Sequence, residues 1–329
     1  MKILVTGDIG FIGYHLSKRL LENNHYVIGV DNHNDYYDIK LKESRLQNLS
    51  RFSNYQHYQC DINDIDSLAL DGIDVIYNLA AQAGVRYSID HPEVYVESNL
   101  TGFMKLLEFA REIKPKHFIF ASSSSVYGLN QKSPFSVDDE VNHPASLYAA
   151  TKRSNELIAH SYSHLYKIPA TGLRFFTVYG PYGRPDMASY IFTKNIFEGK
   201  PIEVFNKGDM IRDFTYIDDI VQGLFELLDK APKKSTYIDA SVNHSPAPYK
   251  IYNLGNHNPV NLMDYIRELE YIIGKKAIIE EKPMQMGDVY KTFADIEAST
   301  NDFGYLPTTS YQEGLRKFVN WYKEFYNVK

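Results

Sequence analysis

The amino-acid sequence predicts an α/β fold built on a doubly wound parallel sheet. Through the first half of the chain, short runs rich in Val, Ile, Tyr and Phe alternate with segments of helical periodicity. A glycine-rich turn, Gly7 to Gly13, directly follows the first of these runs. Because strands that alternate with helices form parallel sheets, and such sheets bind ligands at the carboxyl ends of their strands, we expect the functional site at that edge.

The pattern of elements also divides the chain. Strands are predicted at 2–6, 26–31, 55–60, 73–79, 117–121 and 170–175, with helices near 11–23, 37–49, 92–113 and 146–166. After residue 178 the pattern loosens: 232–250 has no periodicity, and shorter helices are expected near 187–198, 216–230, 262–273 and 311–326. We predict a larger domain over 1–178, to which 214–234 returns, and a smaller α/β C-terminal domain over 179–213 and 235–329 that binds the substrate.

Composition narrows the class of protein. The chain has 329 residues, of which 44% are hydrophobic and 23% charged, as in soluble globular enzymes. A formal charge of −6 disfavours a nucleic-acid partner or an anionic membrane surface. Cys60 is the only cysteine, so no intramolecular disulfide and no cysteine-rich metal site are predicted, and no residue is assigned as a metal ligand. Since Met1 leads straight into a strand and no apolar run approaches the roughly 18 residues that span a bilayer, we expect a cytoplasmic protein.

The glycine-rich turn indicates a dinucleotide site. Gly7, Gly10 and Gly13 form a GxxGxxG pattern that opens the first helix, where Phe11 and Ile12 also lie. Glycines at this junction allow a tight turn, close approach of the backbone to a pyrophosphate, and close packing of helix on strand. Backbone amides at the helix N-terminus then face the phosphates. A plain structural turn is the alternative for a glycine pattern alone, but its position at the first strand–helix junction favours the cofactor site.

Acidic and small residues at the next strand ends extend this groove. Asp31 ends the second strand, 18 residues after Gly13. A carboxylate there accepts hydrogen bonds from an adenosine ribose and repels a 2′-phosphate, which predicts NAD rather than NADP, although a turn-capping aspartate is the alternative. Asp61-Ile62 and Leu79-Ala80-Ala81 follow the third and fourth strands. Asp8 places an acidic residue inside the phosphate loop. If its side chain points to solvent, the effect on NAD binding should be small; if it points inward, NAD binding should be weakened.

A second group of residues is suited to moving a proton and a hydride together. Tyr148 and Lys152 are four positions apart in a predicted helix and therefore share one face. Ser122 to Ser125 follow the fifth strand and bring hydroxyl groups to the same edge. A tyrosine normally titrates near pH 10, but a nearby ammonium group and a positive nicotinamide ring favour its phenolate. Tyr148 can then take a proton from a sugar hydroxyl while hydride leaves the same carbon for NAD. A chance surface pair is the alternative for the YxxxK spacing alone.

With these motifs the sequence resembles the extended short-chain dehydrogenase/reductase family, which has a Rossmann-type NAD-binding domain, and in particular its UDP-glucuronate 4-epimerases. The resemblance spans essentially the whole chain. The general motifs are Thr6-Gly7…Gly10…Gly13, Asn78-Leu79-Ala80-Ala81, Ser122 to Gly128 and Tyr148-x-x-x-Lys152. The narrower motifs, similar to those of the glucuronate branch, are Asp31 to Asp38, Ala81 to Tyr87, Arg174 to Pro181 and Arg212 to Tyr216.

The resemblance implies roles for individual residues. Ser123 is the catalytic hydroxyl, Tyr148 the base, and Lys152 its partner, which also bonds to the nicotinamide ribose. Further cofactor contacts are implied for Asn32, Gln82, Asn99, Phe176 and Val178. Substrate contacts are implied for Arg86, Ser124, Ser125, Thr177, Arg184, Met187, Arg212 and Asp288, with Arg212 on the diphosphate; a surface or ion-pairing role is the alternative for the arginines. Tyr290 departs from the family pattern, in which proline is expected after Gly287-Asp288-Val289. The loop on the uridine side of the site is therefore not expected to keep the family's shape.

In this scaffold oxidation at C4 of the sugar leads to three outcomes. Dehydratases of the family carry Asp-Glu directly after the catalytic Thr, where this chain has Ser124 and Ser125. Glucuronate decarboxylases usually place Glu at the Ser125 position. The resemblance therefore implies 4-epimerisation of UDP-glucuronate, with NAD regenerated in each cycle. Epimerisation of neutral UDP-sugars, decarboxylation of UDP-glucuronate, and a non-enzymatic NAD-binding regulator remain alternatives.

The resemblance also implies a homodimer. Helices 92–113 and 146–166 are expected to pair across a two-fold axis. The first of them has an apolar face, although that face alternatively covers the sheet; it consists of Val96, Leu100, Phe103, Met104, Leu107 and Ala110.

Overall fold

A seven-stranded parallel sheet forms the centre of the molecule and confirms the predicted fold class. The computed structural model describes residues 1–236, 239, 241–285 and 287–328; residues 237, 238, 240, 286 and 329 of the range assigned to the smaller domain lie outside the described residues. The strand order is β3-β2-β1-β4-β5-β6-β11. These strands are β1 Lys2–Thr6, β2 Tyr26–Asp31, β3 Tyr55–Gln59, β4 Val75–Asn78, β5 His117–Ser123, β6 Ala170–Phe175 and β11 Tyr249–Leu254.

The helices agree closely with the predicted ones in the first half of the chain, with one exception. They are α1 Phe11–Glu22, α2 Ile39–Leu49, α3 Tyr87–Asp90, α4 Pro92–Tyr95, α5 Gly102–Ile113 and α6 Leu147–Tyr166. The predicted helix 92–113 is helical over its whole length, but it is not a regular α-helix, because a π-helical turn, Val96–Thr101, joins α4 to α5. Gly102 begins α5 where a Cβ would lie 2.4 Å from Cγ2 of Ile62, so the glycine allows close packing there.

The second half of the chain adds shorter elements. Its helices are α7 Ala188–Glu198, α8 Ile217–Glu226, α9 Leu262–Ile273, α10 Glu297–Phe303 and α11 Tyr311–Tyr326. Its short strands pair as β7 Thr177–Tyr179 with β10 Phe214–Tyr216, β8 Pro201–Phe205 with β13 Ile278–Lys282, and β9 Ile211–Arg212 with β12 Val260–Asn261. The sequence analysis did not predict these strands. It also missed β11, which comes from the range 235–329 but lies in the central sheet; the division into two domains otherwise stays a prediction.

Apolar side chains cover both faces of the sheet. Ile3 and Val5 of β1 pack with Leu16 and Leu20 of α1 on one face. Leu4, between them in sequence, points to the other face and packs in a second cluster with Phe103 of α5. Since successive side chains of a strand alternate between faces, this arrangement makes the sheet doubly wound.

The sheet order positions the ligand edge. Strand β1 pairs with β2 on one side and with β4 on the other, so the connections after β1 and β4 leave in opposite directions. Such a reversal opens a crevice at the carboxyl ends of the strands. Thr6 and Asn78, opposite each other at these ends, are joined by a 2.7 Å hydrogen bond from the threonine hydroxyl to the asparagine amide oxygen. Within the described part of the chain, no helix is long and apolar enough to cross a bilayer.

Candidate active site

One cavity of about 980 Å³ runs along the carboxyl ends of the central strands. It extends from the glycine-rich turn to the loops of the second half of the chain, including Arg212 and Asp288. Every residue that the sequence analysis assigned to cofactor or substrate lines this cavity, except Asn99. The fold therefore brings together residues that are far apart in the chain.

The glycine-rich turn has the shape that a dinucleotide requires. Gly7 has φ +72°, in the left-handed region, and its amide donates to the carbonyl of Val30 at 2.7 Å. A Cβ at Gly13 would lie 2.0 Å from the carbonyl oxygen of Gly7, and one at Gly7 would lie 2.8 Å from the amide nitrogen of Ala80. No side chain fits at either position without moving backbone. The bare backbone at the start of α1 thus fits the pyrophosphate of NAD.

Asp31 has a partner that the sequence analysis missed. Nζ of Lys42 lies 3.1 Å from Oδ1 of Asp31 and also bonds to Oδ1 of Asn34 at 3.1 Å, and both members of the ion pair are buried. The backbone N–H of His33 donates to the same Asp31 oxygen at 2.8 Å. Lys42 partly cancels the charge by which Asp31 was expected to repel a 2′-phosphate. A Lys eleven positions after the strand end carries no motif signal, so only the packing of α2 on this edge revealed it.

Asp8 points inward, not to solvent. Its side chain is fully buried beneath Gly29, where a Cβ would lie 1.8 Å from Oδ2 of Asp8. That oxygen accepts hydrogen bonds from the hydroxyl of Tyr55 and from Nδ1 of His57, the latter at 2.9 Å. Burial raises the pKa of Asp8, and the hydrogen bond and charge of His57 act in the opposite direction. The side chain of Asp8 therefore points inward, which is the second of the two orientations expected from the sequence.

Asn99 supports the cavity wall without lining it, and its direct contact with the cofactor stays a prediction. Its amide oxygen accepts from the backbone N–H of Gln82 at 2.9 Å, and its amide nitrogen donates to the Gln82 carbonyl at 3.0 Å. The same nitrogen donates to the hydroxyl of Thr151 on α6. Asn99 therefore fixes the loop after β4 against the helix that carries Tyr148. Asp61 and Asn32, by contrast, face the cavity and are joined by a 2.8 Å hydrogen bond.

The three residues predicted to be catalytic lie together. Helix α6 begins after Ser146, whose hydroxyl accepts from the amide of Ala149, so Tyr148 stands in its first turn and Lys152 one turn later. Nζ of Lys152 lies 5.9 Å from the centre of the Tyr148 ring and donates to the carbonyl of Ala121 at 2.9 Å. Burial lowers the pKa of Lys152 to about 8. Burial raises the pKa of Tyr148, while its hydrogen bond with Ser123 and the charge of Arg184 lower it.

The serines after β5 differ in their hydrogen-bond partners. The hydroxyl of Ser122 points away from the reaction centre and donates to Glu156 at 2.6 Å. Glu156 in turn forms a buried bidentate ion pair with Arg174, with distances of 2.9 and 3.0 Å. Ser123 instead donates to the hydroxyl of Ser125 at 2.9 Å, and both line the cavity with Ser124. The Glu156–Arg174 pair fixes α6 to β6 and so sets the distance between Tyr148 and the serines.

The substrate side of the cavity is lined by arginines. Arg184 forms a bidentate pair with Asp186, whose Oδ2 also accepts from the hydroxyl of Tyr36 at 3.1 Å. Arg212 donates to the backbone carbonyls of Ile211 and Tyr290 at 3.0 and 3.1 Å. Asp186 and Tyr36 line the cavity too, and sequence reasoning did not single them out as site residues.

The remaining predicted substrate contacts lie near these groups. Arg86 pairs with Asp288 at 3.4 Å and stacks over Phe205 with 4.7 Å to the ring centre. Thr177 and Met187 also line the cavity. Tyr290, where proline was expected, uses its backbone carbonyl to accept from Ile211 and Arg212, and its hydroxyl donates to Asp209 at 3.0 Å. A proline at position 290 would have the same backbone carbonyl, so the hydrogen bonds to this carbonyl do not require tyrosine there.

Comparison with known proteins places this geometry in a family. The NAD dependent epimerase/dehydratase family model matches residues 3–255. A probable UDP-glucuronate 4-epimerase of Rhizobium meliloti is 45% identical, with 99% of this chain and 98% of that protein covered. UDP-glucuronate 4-epimerase 4 of Arabidopsis thaliana is 48% identical, covering 99% of this chain and 76% of that protein. A crystal structure of UDP-glucuronic acid 4-epimerase from Bacillus cereus with UDP-glucuronic acid and NAD has a TM-score of 0.88 at 36% identity, covering 99% of this chain and 100% of that one. These similarities confirm the resemblance predicted from the motifs.

Proposed function

Because the chain belongs to the NAD-dependent epimerase/dehydratase family, we propose that it is a 4-epimerase that interconverts UDP-glucuronate and UDP-galacturonate through a transient 4-keto sugar. The observation that carries the proposal is the site itself: the hydroxyls of Ser123 and Tyr148 hydrogen-bond beside Lys152, with Ser124 and Ser125 where dehydration or decarboxylation would require carboxylates. NAD is the cofactor, and the residues proposed to hold it are Gly7, Gly10, Phe11, Ile12, Gly13, Asp31, Asn32, Asp61, Ile62, Leu79, Ala80, Ala81, Gln82, Lys152, Phe176 and Val178.

Tyr148 takes the proton in the first half of the reaction. Bound NAD would supply the hydride acceptor in this half, the hydride donor in the return half, and the positive charge of its nicotinamide ring. In this buried setting Tyr148 by itself holds its proton, because burial raises its pKa. Ser123 and the neighbouring Lys152 favour the phenolate, so the hydroxyl at C4 of the sugar can lose its proton to Tyr148.

Epimerisation requires the same proton to return after the 4-keto sugar has turned over. In this proposal the rotation takes place in the part of the cavity beside Ser123 and Tyr148, while the rest of the cavity holds NAD and the UDP moiety. Tyr148, now protonated, gives the proton back to the oxygen at C4, and the hydroxyl ends on the opposite face of the ring. The cycle leaves both the protein and the cofactor as they began.

The serine and threonine hydroxyls are proposed to keep the sugar carboxylate from being lost as carbon dioxide. With glucuronate the 4-keto sugar is a β-keto acid, which loses carbon dioxide most easily when the breaking bond is perpendicular to the ketone plane. Ser124, Ser125 and Thr177 line the cavity as hydroxyl donors that could hold the carboxylate away from this orientation. Arg86, Arg184, Met187, Arg212 and Asp288 are proposed to bind the remainder of the UDP-sugar.

The proposal is tested with purified protein and a panel of UDP-sugars, with the products separated by chromatography. We expect UDP-galacturonate from UDP-glucuronate without added oxidant, and little conversion of UDP-glucose. Efficient interconversion of UDP-glucose and UDP-galactose with none of the uronates would refute the substrate assignment. UDP-pentose as the main product would instead identify a decarboxylase.

We also propose that the protein is a homodimer and is located in the cytoplasm. Several apolar side chains are exposed near and along α5 and α6, including Met104 at 40%, Leu157 at 56% and Leu165 at 60% exposure. Phe103, Leu107 and Ala110 of the predicted apolar face instead cover the sheet. Leu157→Glu should yield monomers in light scattering, whereas Tyr271→Glu, at an exposed apolar residue on α9, should not. A wild-type monomer at micromolar concentration would contradict the dimer, and cell fractionation tests the location.

A further inference from the structure

A chain of hydrogen bonds joins the glycine-rich turn to the loop after β2. It begins at Asp8, continues through His57 on β3, and reaches His33, whose Nε2 lies 2.7 Å from Nε2 of His57. The backbone N–H of His33 then donates to Oδ1 of Asp31. The chain thus connects the two segments proposed to hold the pyrophosphate and the adenosine ribose of NAD.

The geometry constrains where the protons lie. Two Nε2 atoms at 2.7 Å require that one of them donates and the other accepts. If Asp8 is ionised and both rings are neutral, His57 donates through Nδ1 to Asp8 and accepts from His33. If His57 gains a proton, it donates at both nitrogens, and His33 accepts through Nε2. One added proton therefore reverses the direction of the His33–His57 bond without moving a heavy atom.

The surroundings make that added proton favourable. Asp8 is fully buried, and its Oδ1 has no hydrogen-bond partner within the described residues, so a negative charge on Asp8 would be poorly compensated. The charged side chains beside the chain are Asp31 and Lys42, which pair with each other, and Tyr55 contributes only a hydroxyl. Among the described residues, no lysine or arginine forms an ion pair with Asp8. A proton that neutralises this charge must therefore lie on Asp8 itself or on the histidines of the chain.

We propose that Asp8, His57 and His33 are positioning residues for NAD and that the chain they form takes up a proton when NAD binds. The two negative charges of the pyrophosphate raise the cost of an uncompensated carboxylate beneath the loop that holds it, so they favour the protonated chain. His33 has φ +55°, a left-handed conformation uncommon for a non-glycine residue, and its ring bond to His57 stabilises it. That conformation aims the His33 amide at Asp31, which fixes the carboxylate proposed to bind the ribose.

The inference rests on NAD as cofactor and not on the identity of the sugar, so it is tested by NAD binding alone. We would titrate NAD into the full-length protein, freed of NAD, between pH 6 and pH 9 by calorimetry, in buffers of different ionisation enthalpy that report the protons taken up. The affinity of the wild type for NAD should fall as pH rises, by as much as about tenfold per pH unit inside the window of uptake. Below and above that window the affinity for NAD should not change with pH.

Variants separate this linkage from a purely structural role. Asp8→Asn keeps the shape of the side chain but removes its charge, and His57→Gln interrupts the chain; both should bind NAD with an affinity that no longer changes with pH. His160→Gln, at a half-buried histidine outside the chain, should keep the wild-type pH profile.

Should Asp8→Asn fail to fold, the His57 variant and the proton count of the wild type still decide the question. A wild type that takes up no proton at any pH, or an Asp8→Asn profile equal to that of the wild type, would overturn the proposal. If the profile is as expected while UDP-glucuronate is not a substrate, the proposed substrate alone fails.

Discussion

Replacing Lys152 by methionine should stabilise the folded protein while abolishing turnover. Lys152 is buried, and burial lowers its pKa from 10.5 to about 8, so at neutral pH the folded protein holds an ammonium group in an unfavourable place. A difference of this size corresponds to about 3 kcal/mol. Methionine loses the hydrogen bond to the carbonyl of Ala121, which costs about 1 kcal/mol. The net expectation at pH 7 is a gain of about 2 kcal/mol in the free energy of unfolding.

The sign of the pH dependence gives a sharper check. Between pH 8 and 10.5 the unfolded chain keeps the Lys152 proton that the folded protein has lost. Since the unfolded state then binds more protons, the wild type gains stability as pH rises through this window, and the methionine variant has no such gain. The advantage of Lys152→Met should therefore be full below pH 8 and fall by about 3 kcal/mol towards pH 10.5, where the lost hydrogen bond leaves the variant about 1 kcal/mol less stable than the wild type.

The assay is urea unfolding of both proteins freed of NAD, so that cofactor affinity does not enter, with turnover of UDP-glucuronate measured separately on the NAD-loaded forms. Because only the difference between two nearly identical proteins is used, the titration of other groups cancels. A variant that is less stable than the wild type at pH 7, or a difference that stays constant from pH 7 to pH 10, would refute the argument from burial.

Three further outcomes are expected. Tyr148→Phe should fold and retain NAD while turnover falls by several orders of magnitude, since the proton acceptor is lost; undiminished activity would remove Tyr148 from the mechanism. Gly13→Ala should purify without NAD, because its Cβ would lie 2.0 Å from the carbonyl of Gly7, and absorbance of the purified protein checks this. Ser125→Ala and Thr177→Val should raise the share of UDP-pentose among the products, by about tenfold for each 1.4 kcal/mol by which carboxylate binding is weakened; unchanged product ratios would count against the carboxylate restraint.

Much of the fold was predictable because the relevant signals are local. Strands β1, β2, β4, β5 and β6 contain runs of apolar residues, and closely spaced glycines mark the junction of β1 with α1, so these elements are visible in the sequence. Strand β11 was missed because it follows a segment without periodicity and is stabilised by pairing with β6, about eighty residues earlier. The π-helical turn at Val96–Thr101 interrupts a segment whose apolar spacing by itself is typical of one continuous helix.

For the site, residue type and position at a strand end were enough to predict which side chains gather around the cavity. Gly7, Ser123, Tyr148 and Lys152 belong to motifs whose chemistry depends on the residues themselves, and the parallel sheet brings their strand and helix ends to one edge. The sequence by itself thus determined the cofactor class and which hydroxyl and amino groups line the cavity.

Only the tertiary structure decided how these groups are charged and supported. Four features depend on side-chain direction and on neighbours from other elements. They are the inward direction of Asp8, the ion pairs Lys42–Asp31 and Arg184–Asp186, and the position of Asn99 behind the cavity wall. The physical reason is that the free energy of a buried charge is set by the few groups within hydrogen-bond distance of it. Those groups are chosen by the packing of the elements, which the order of residues along the chain does not reveal.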